Sequence, residues 1–190
     1  MNKHRQEVLV KRQALSEQQR EHFAQAVFQH WLNAYTNLPP QRHVGCYLAV
    51  KGEVETLAII QQIIAHQHQC YLPRLAAPHT MTFARYTPGD SLIQNKYHIL
   101  EPLPQAQTIG PHDLDMVLVP LVSFDKAGNR MGMGAGYYDS AFAFLQQKSQ
   151  RSKPQLIGLA YSWQEIECIK ANPWDIPLDA VITEIGIRCF

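Results

Sequence analysis

A chain of 190 residues, 46% hydrophobic and 17% charged, is long enough to bury roughly two thirds of its unfolded surface and has the size of a single domain. Its 17 Lys and Arg stand against 16 Asp and Glu, a formal charge of +1, so the overall balance excludes a global nucleic-acid or anionic-membrane surface. The longest apolar run, about Met116 to Val122, falls far short of the roughly 20 residues of a spanning helix. The first turns of the chain mix Lys3, Arg5, Lys11 and Arg12 with Glu7 and Glu17 and lack the apolar core of a secretory signal. One domain over residues 1–190, cytoplasmic and monomeric, with no nucleic-acid or membrane partner, is the expectation.

A basic helix from about Lys3 to Arg12 opens the chain, with Lys11 and Arg12 suited to a solvated face. Ser16 with Gln19, ahead of Phe23, Val27 and Trp31, forms a capping box that predicts an amphipathic helix to about Tyr35. Pro39 and Pro40 close this region. Val44 to Ala49 has strand content, helical spacing follows in Leu57, Ile60, Ile63 and Ile64, and Cys70 to Leu72 forms a short strand running into Pro73. Met81 to Tyr86, with Pro88-Gly89-Asp90 behind it, predicts a strand and turn in a small antiparallel excursion.

Asp115 to Pro120 is almost wholly apolar, as expected of a central strand buried on both faces of a parallel sheet. A helix over Ala141 to Gln147 and strands over Leu156 to Ala160 and Ala180 to Thr183 complete the pattern. The alternation predicts an α/β fold, a three-layer sandwich with a mostly parallel central sheet and helices on both faces, in which ligands gather at the carboxyl ends of the strands. Cys46, Cys70, Cys168 and Cys189 are scattered without a Cys-x-x-Cys pair, and His66 and His68 lack further ligands at metal-site spacing.

The chemistry is concentrated in Gly128-Asn-Arg-Met-Gly-Met-Gly-Ala-Gly-Tyr-Tyr-Asp139. Gly128, Gly132, Gly134 and Gly136, between a buried strand and a helix, can turn several backbone N–H groups on one anion. Arg130 adds a planar fork for phosphate oxygens, and Asp139 a carboxylate for Mg²⁺ bridging them. The plain alternative is a tight strand-to-helix turn in which Asp139 stabilises the first helical turn. The loop lacks the Gly-Lys-Ser/Thr end of a P-loop and the Gly-x-Gly-x-x-Gly spacing of a dinucleotide site. Asp175, in Asn172-Pro173-Trp174-Asp175, is a turn residue on its own terms or the second half of a metal site.

With these residues in hand, the chain resembles the 5-formyltetrahydrofolate cyclo-ligase family over nearly its whole length. The resemblance rests on Val119-Pro120-Leu121-Val122-Ser123-Phe124-Asp125, then Gly128-x-Arg130-Met131-Gly132-x-Gly134-x-Gly136-Tyr137-Tyr138-Asp139. Gly45-x-Tyr47-Leu48, Gly52-Glu53-Val54-Glu55-Thr56, Leu72-Pro73-Arg74, Glu101-Pro102, Gly158-Leu159-Ala160-Tyr161 with Gln164, and Trp174-Asp175 with Thr183 support it. It implies an enzyme that closes 5-formyltetrahydrofolate to 5,10-methenyltetrahydrofolate with MgATP, releasing ADP and phosphate.

By position, the resemblance assigns Arg130, Met131, Gly132, Met133, Gly134, Ala135, Gly136, Tyr137 and Tyr138 to ATP, with Arg130 also catalytic. Met133 to Tyr137 also face the folate, Leu48 and Glu53 contact the pterin, and Asp139 and Asp175 hold Mg²⁺. Of the two N-terminal cations the family presents to ATP, Arg5 matches the second. The first falls on Met1, so either Lys3 substitutes from a neighbouring position or the nucleotide has one fewer cationic contact. Read without the family, Leu48 is core packing and Glu53 a solvated helix start. Two other readings keep the loop: a phosphosugar or CoA-ester binder, and a non-catalytic nucleotide-binding relative.

Overall fold

The computed structural model describes residues 3–35, 39, 41–77, 79–147 and 153–190. Met1 and Pro40, both used in the sequence reading, lie outside them. In chain order the elements are α1 (Lys3–Gln13), α2 (Glu17–Tyr35), β1 (His43–Gly45), α3 (Leu57–Ala65), β2 (Gln69–Ala77), β3 (Thr80–Arg85), β4 (Leu92–Gln94), β5 (Leu100–Pro102) and β6 (Thr108–Ile109). They continue with β7 (Met116–Pro120), β8 (Ser123–Phe124), β9 (Arg130–Met131), α4 (Tyr137–Phe142), β10 (Gln155–Leu159), β11 (Ala180–Thr183) and β12 (Gly186–Cys189).

The main sheet runs β12-β11-β10-β7-β1-β2-β3-β6. Its centre, from β11 to β2, is parallel, and β12, β3 and β6 join antiparallel at the two sides. Alternation along the strands divides the core. Met116 and Leu118 of β7 face one cluster with Val27 and Trp31 of α2 and Ile59, Ile60 and Ile63 of α3. Val117 and Val119 face the other, with Phe142 of α4 and Leu145 beyond it. An apolar strand buried on both faces is what a run such as Met-Val-Leu-Val requires, and the expected sandwich with helices on both faces is realised. At Gly158 of β10 an added Cβ would stand 2.6 Å from Leu121 Cδ2 and 2.8 Å from Leu178 Cδ1; only glycine lets β10 pass there.

The capping box forms as predicted: Ser16 N–H donates to Gln19 Oε1 at 2.9 Å and Gln19 N–H to Ser16 Oγ at 3.2 Å. Elsewhere the boundaries differ. The strand expected over Val44 to Ala49 is β1, His43–Gly45, because beyond Cys46 side chains satisfy the backbone: Thr56 Oγ1 donates to the Tyr47 carbonyl and Glu53 Oε2 accepts from Val50 N–H. The helix expected over Ala141 to Gln147 begins earlier, as α4, and ends as a 3₁₀ turn over Ala143–Gln147. Hairpins β4–β5 and β8–β9 and the edge strand β12 were not anticipated. Arg12 is 1% exposed, so it is not on a solvated face; Lys11 lies over the Trp163 ring at 4.2 Å. No helix among the described residues is long and apolar enough to cross a membrane.

Candidate active site

At the carboxyl ends of β7, β1 and β2 lies a cavity of about 1280 Å³, larger than the roughly 300–1,000 Å³ that usually encloses one small ligand. One wall is the segment Arg130 to Ser140. Tyr47, Leu48, Val50, Lys51 and Glu53 line the cavity as well. Arg5 and Leu9 of α1 and the β4–β5 hairpin close two further sides.

The glycine segment does not leave β7 directly. Hairpin β8–β9 comes first, and its turn is built on Asp125, whose carboxylate accepts from Ala127 N–H, Asn129 N–H, Asn129 Nδ2 and Ile169 N–H at 2.9–3.0 Å. Burial pushes this carboxyl up, but the four donors outweigh it and hold it below the usual carboxylate range. Gly128 belongs to that turn. Its φ is +80°, and an added Cβ would meet Phe190 at 2.8 Å. The four glycines that the sequence reading grouped as one cradle therefore divide, and Gly132, Gly134 and Gly136 alone among them line the cavity. Gly134 (φ +97°) and Gly136 (φ +68°) hold conformations that a side chain disfavours.

Arg130 and Asp139 clasp the two ends of this segment. Arg130 Nη2 donates to Asp139 Oδ1 at 2.8 Å, and Nη1 donates to the Ile176 carbonyl; the Arg130 side chain is 5% exposed. Ile176 N–H donates to the same Asp139 Oδ1 at 3.2 Å, which brings the residue after Asp175 against Asp139. Asp175 itself accepts from Asn172 N–H and Nδ2 through Oδ2, so it is a turn residue and a cavity residue at once. Among the described residues no group of three His, Cys, Asp or Glu could hold a metal. Mg²⁺ is usually taken by one or two carboxylates together with phosphate oxygens and waters. The two aspartates fit that demand, because the bonds above use one oxygen of each carboxylate.

Arg5 Nε donates to the Gly132 carbonyl at 2.8 Å, and its guanidinium lies against Gly134. Lys3 is elsewhere: its side chain is 90% exposed, its Nζ is 3.9 Å from Glu7, and it is not among the lining residues. Leu48 is half-buried at the wall, packed against the core cluster. Glu53 is 8% exposed, which overturns the solvated reading, and burial pushes its carboxyl up to about 7 against the smaller pull of Val50 N–H and Arg12. Met131, Met133, Ala135, Tyr137 and Tyr138 all line the cavity. The Tyr138 hydroxyl is buried without a partner among the described residues.

Of the lining residues that escaped the sequence reading as site candidates, four make side-chain polar contacts with one another or with the glycine segment. Tyr97 Oη is 3.3 Å from Tyr137 Oη, His79 Nδ1 is 3.1 Å from the Ala135 carbonyl, and Asn95 Nδ2 donates to Glu101 Oε1 at 2.7 Å. The unpredicted β4–β5 hairpin carries three of them, so no strand assignment pointed to it.

The chain matches the 5-formyltetrahydrofolate cyclo-ligase family model over residues 1–184. It is 38% identical to the 5-formyltetrahydrofolate cyclo-ligase of Haemophilus influenzae over 157 residues, 81% of each chain. It is 32% identical to that of Escherichia coli over 176 residues, 91% of this chain and 94% of the relative. Among solved structures it is similar to the 5,10-methenyltetrahydrofolate synthetase of Aquifex aeolicus, with 30% identity and a TM-score of 0.80 over 98% of this chain and 90% of that one. The synthetase from Mycoplasma pneumoniae superposes with a TM-score of 0.75 at 28% identity, over 95% and 96%. A match over almost the entire length, at this identity and with the same fold, means that the chain belongs to the 5-formyltetrahydrofolate cyclo-ligase family.

Proposed function

We propose that this protein cyclises 5-formyltetrahydrofolate to 5,10-methenyltetrahydrofolate with ATP, by phosphorylating the formyl oxygen. The observation that carries the reading is one cavity lined both by the glycine segment and by Leu48 and Glu53, which gives a triphosphate and a pterin adjoining places. The formamide oxygen is a weak nucleophile, and N10 cannot expel oxide from the formyl carbon. Attack of that oxygen on the γ-phosphorus, with cleavage of the bond to ADP, turns it into a phosphate leaving group. N10 then adds to the carbon, loses its proton, and phosphate departs as the conjugated amidinium forms.

Such a transfer depends on alignment and charge stabilisation more than on a protein nucleophile. Arg130, Arg5 and the amides of Gly132 to Gly136 surround the phosphate position. Mg²⁺, held by Asp139 and Asp175, supplies neutralisation of phosphate charge. The paired carboxylate oxygens of Glu53 suit the adjacent amino and ring N–H donors of a pterin, and Leu48 packs against its face. We carry over from the sequence a cytoplasmic monomer that acts on small molecules.

The deciding experiment follows the near-ultraviolet absorbance of the methenyl product, with ATP and Mg²⁺ omitted in turn. A rise that needs both is expected. No rise despite nucleotide binding would instead leave a non-catalytic relative. Asp139→Asn, whose amide oxygen keeps a neutral acceptor for Arg130 but brings no charge to the cation, is expected to raise the Mg²⁺ concentration for half-maximal rate severalfold; an unchanged Mg²⁺ titration would remove Asp139 from the metal site.

A further inference from the structure

Glu53 has a partner behind the cavity wall that no reading of the site includes. Arg5, Leu9 and Arg12 lie at i, i+4 and i+7, one face of α1. Arg5 and Leu9 line the cavity and Arg12 does not. Its guanidinium is instead buried between two pieces of the wall: Nη2 donates to the Leu121 carbonyl and Nη1 is 4.0 Å from Glu53 Oε1. Leu121 and Val122 line the cavity, and their carbonyls also accept from Gln164 Nε2 at 3.0 and 2.6 Å.

The turn that presents Glu53 is pressed onto this helix. Lys51 (φ +52°) and Gly52 (φ +72°) are both left-handed, and a Cβ on Gly52 would stand 3.0 Å from Arg12 Cβ and 3.1 Å from the Arg12 carbonyl oxygen. From the other side Tyr161 Oη donates to the Gly52 carbonyl at 3.1 Å. The turn is thus gripped between α1 and Tyr161, and Arg12 is the charged group that meets the carboxylate. Burial pulls Arg12 down and Glu53 up, each against the attraction of the other. Such a pair is weak evidence for stability, and the Arg12 Nε is buried with no partner among the described residues. Its place between the Leu121 carbonyl and the Glu53 carboxylate is better explained by what it positions.

We infer that Arg12 is a positioning residue for 5-formyltetrahydrofolate, fixing the Glu53 carboxylate in the cavity wall where the pterin donors meet it. This rests on the cyclo-ligase reading of the site. Arg12 acts on the folate side alone, because Arg5 has its own anchor on Gly132.

The test compares wild type, Arg12→Met, Glu53→Gln and the double variant. Arg12→Met is expected to raise the KM for 5-formyltetrahydrofolate about tenfold, the scale of one hydrogen bond to a charged group, while the KM for ATP stays within about twofold. In the Glu53→Gln background the same change is expected to add less than about twofold, as for residues acting through one another. An unchanged folate KM, equal rises in both KM values, or additive effects would overturn the inference. If Arg12→Met fails to fold, Arg12→Lys carries the test, its single ammonium expected to give a smaller folate-only rise and a wild-type folate KM counting against the role. Calorimetric titration of 5-formyltetrahydrofolate reads the same comparison without turnover. Wild type that binds but does not convert overturns the cyclo-ligase reading and leaves Arg12 judged by Kd; wild type that does not bind overturns both.

Discussion

Arg130→Ala is expected to lower the turnover of ATP-dependent cyclisation about a hundredfold, roughly 3 kcal/mol of transition-state stabilisation, the usual cost of one preorganised donor. Its guanidinium is the charged group most firmly set in the glycine segment, nearly buried and bonded to both Asp139 and the Ile176 carbonyl. That anchoring adds a second expected effect. Removing the fork leaves a carboxylate and a carbonyl short of a donor, a loss of about 1–3 kcal/mol in stability. Urea unfolding beside single-turnover kinetics separates the two: a folded variant with near-normal turnover would take Arg130 out of the mechanism.

The second large effect concerns pH. The native chain holds the Glu53 carboxyl at about 7, against an ordinary value of 4.5. A raised folded-state value means that the native chain binds the proton more tightly than the unfolded one. The stability contributed by this proton is fully present below the ordinary value and is lost as pH rises through about 7. Between roughly pH 5 and pH 8 the loss amounts to about 2.5 kcal/mol. The charged and titratable groups facing Glu53 are Arg12 from α1, Lys51 and Glu55 from its own turn, Tyr47 from the segment after β1 and Tyr138 from α4. Glu53→Gln is expected to remove this slope from the difference in unfolding free energy measured at the two pH values. An identical slope in wild type and variant would show that Glu53 titrates normally.

Much of the fold was legible because its signals are local. The Ser16–Gln19 box needs only four residues, and the short, β-branched Met116–Val119 run has the length and composition of a strand covered on both faces. The loop was legible as a distinct glycine segment but not in its division, since a hairpin turn and an anion-binding loop both call for glycine at positive φ; the packing of Phe190 and the bond from Gly128 N–H to the Asp125 carbonyl assign Gly128 to the turn. Arg12 was misread for a similar reason. Lys11 and Arg12 are adjacent in sequence and point to different sides of α1, and which side is buried depends on Leu121, 109 residues away. Glu53 followed the same rule: its burial comes from α1 and Tyr138, neither of which a reading of residues 50–56 contains. The two-to-four-residue strands β4, β5, β8, β9 and β12 are too short for periodicity to register.

Helix α1 contributes to both ends of the cavity, through Arg5 at the glycine segment and through Arg12 at the turn before Glu53. Undocking it would dismantle the two ligand positions in one event. A ligand held at either end would therefore weight the ensemble toward the docked helix, by RT ln(1 + [L]/Kd). The other ligand would then meet a wall already in place and be spared whatever fraction of its binding energy went into ordering that helix. Two substrates bound at different ends of one helix would in this way report each other's presence.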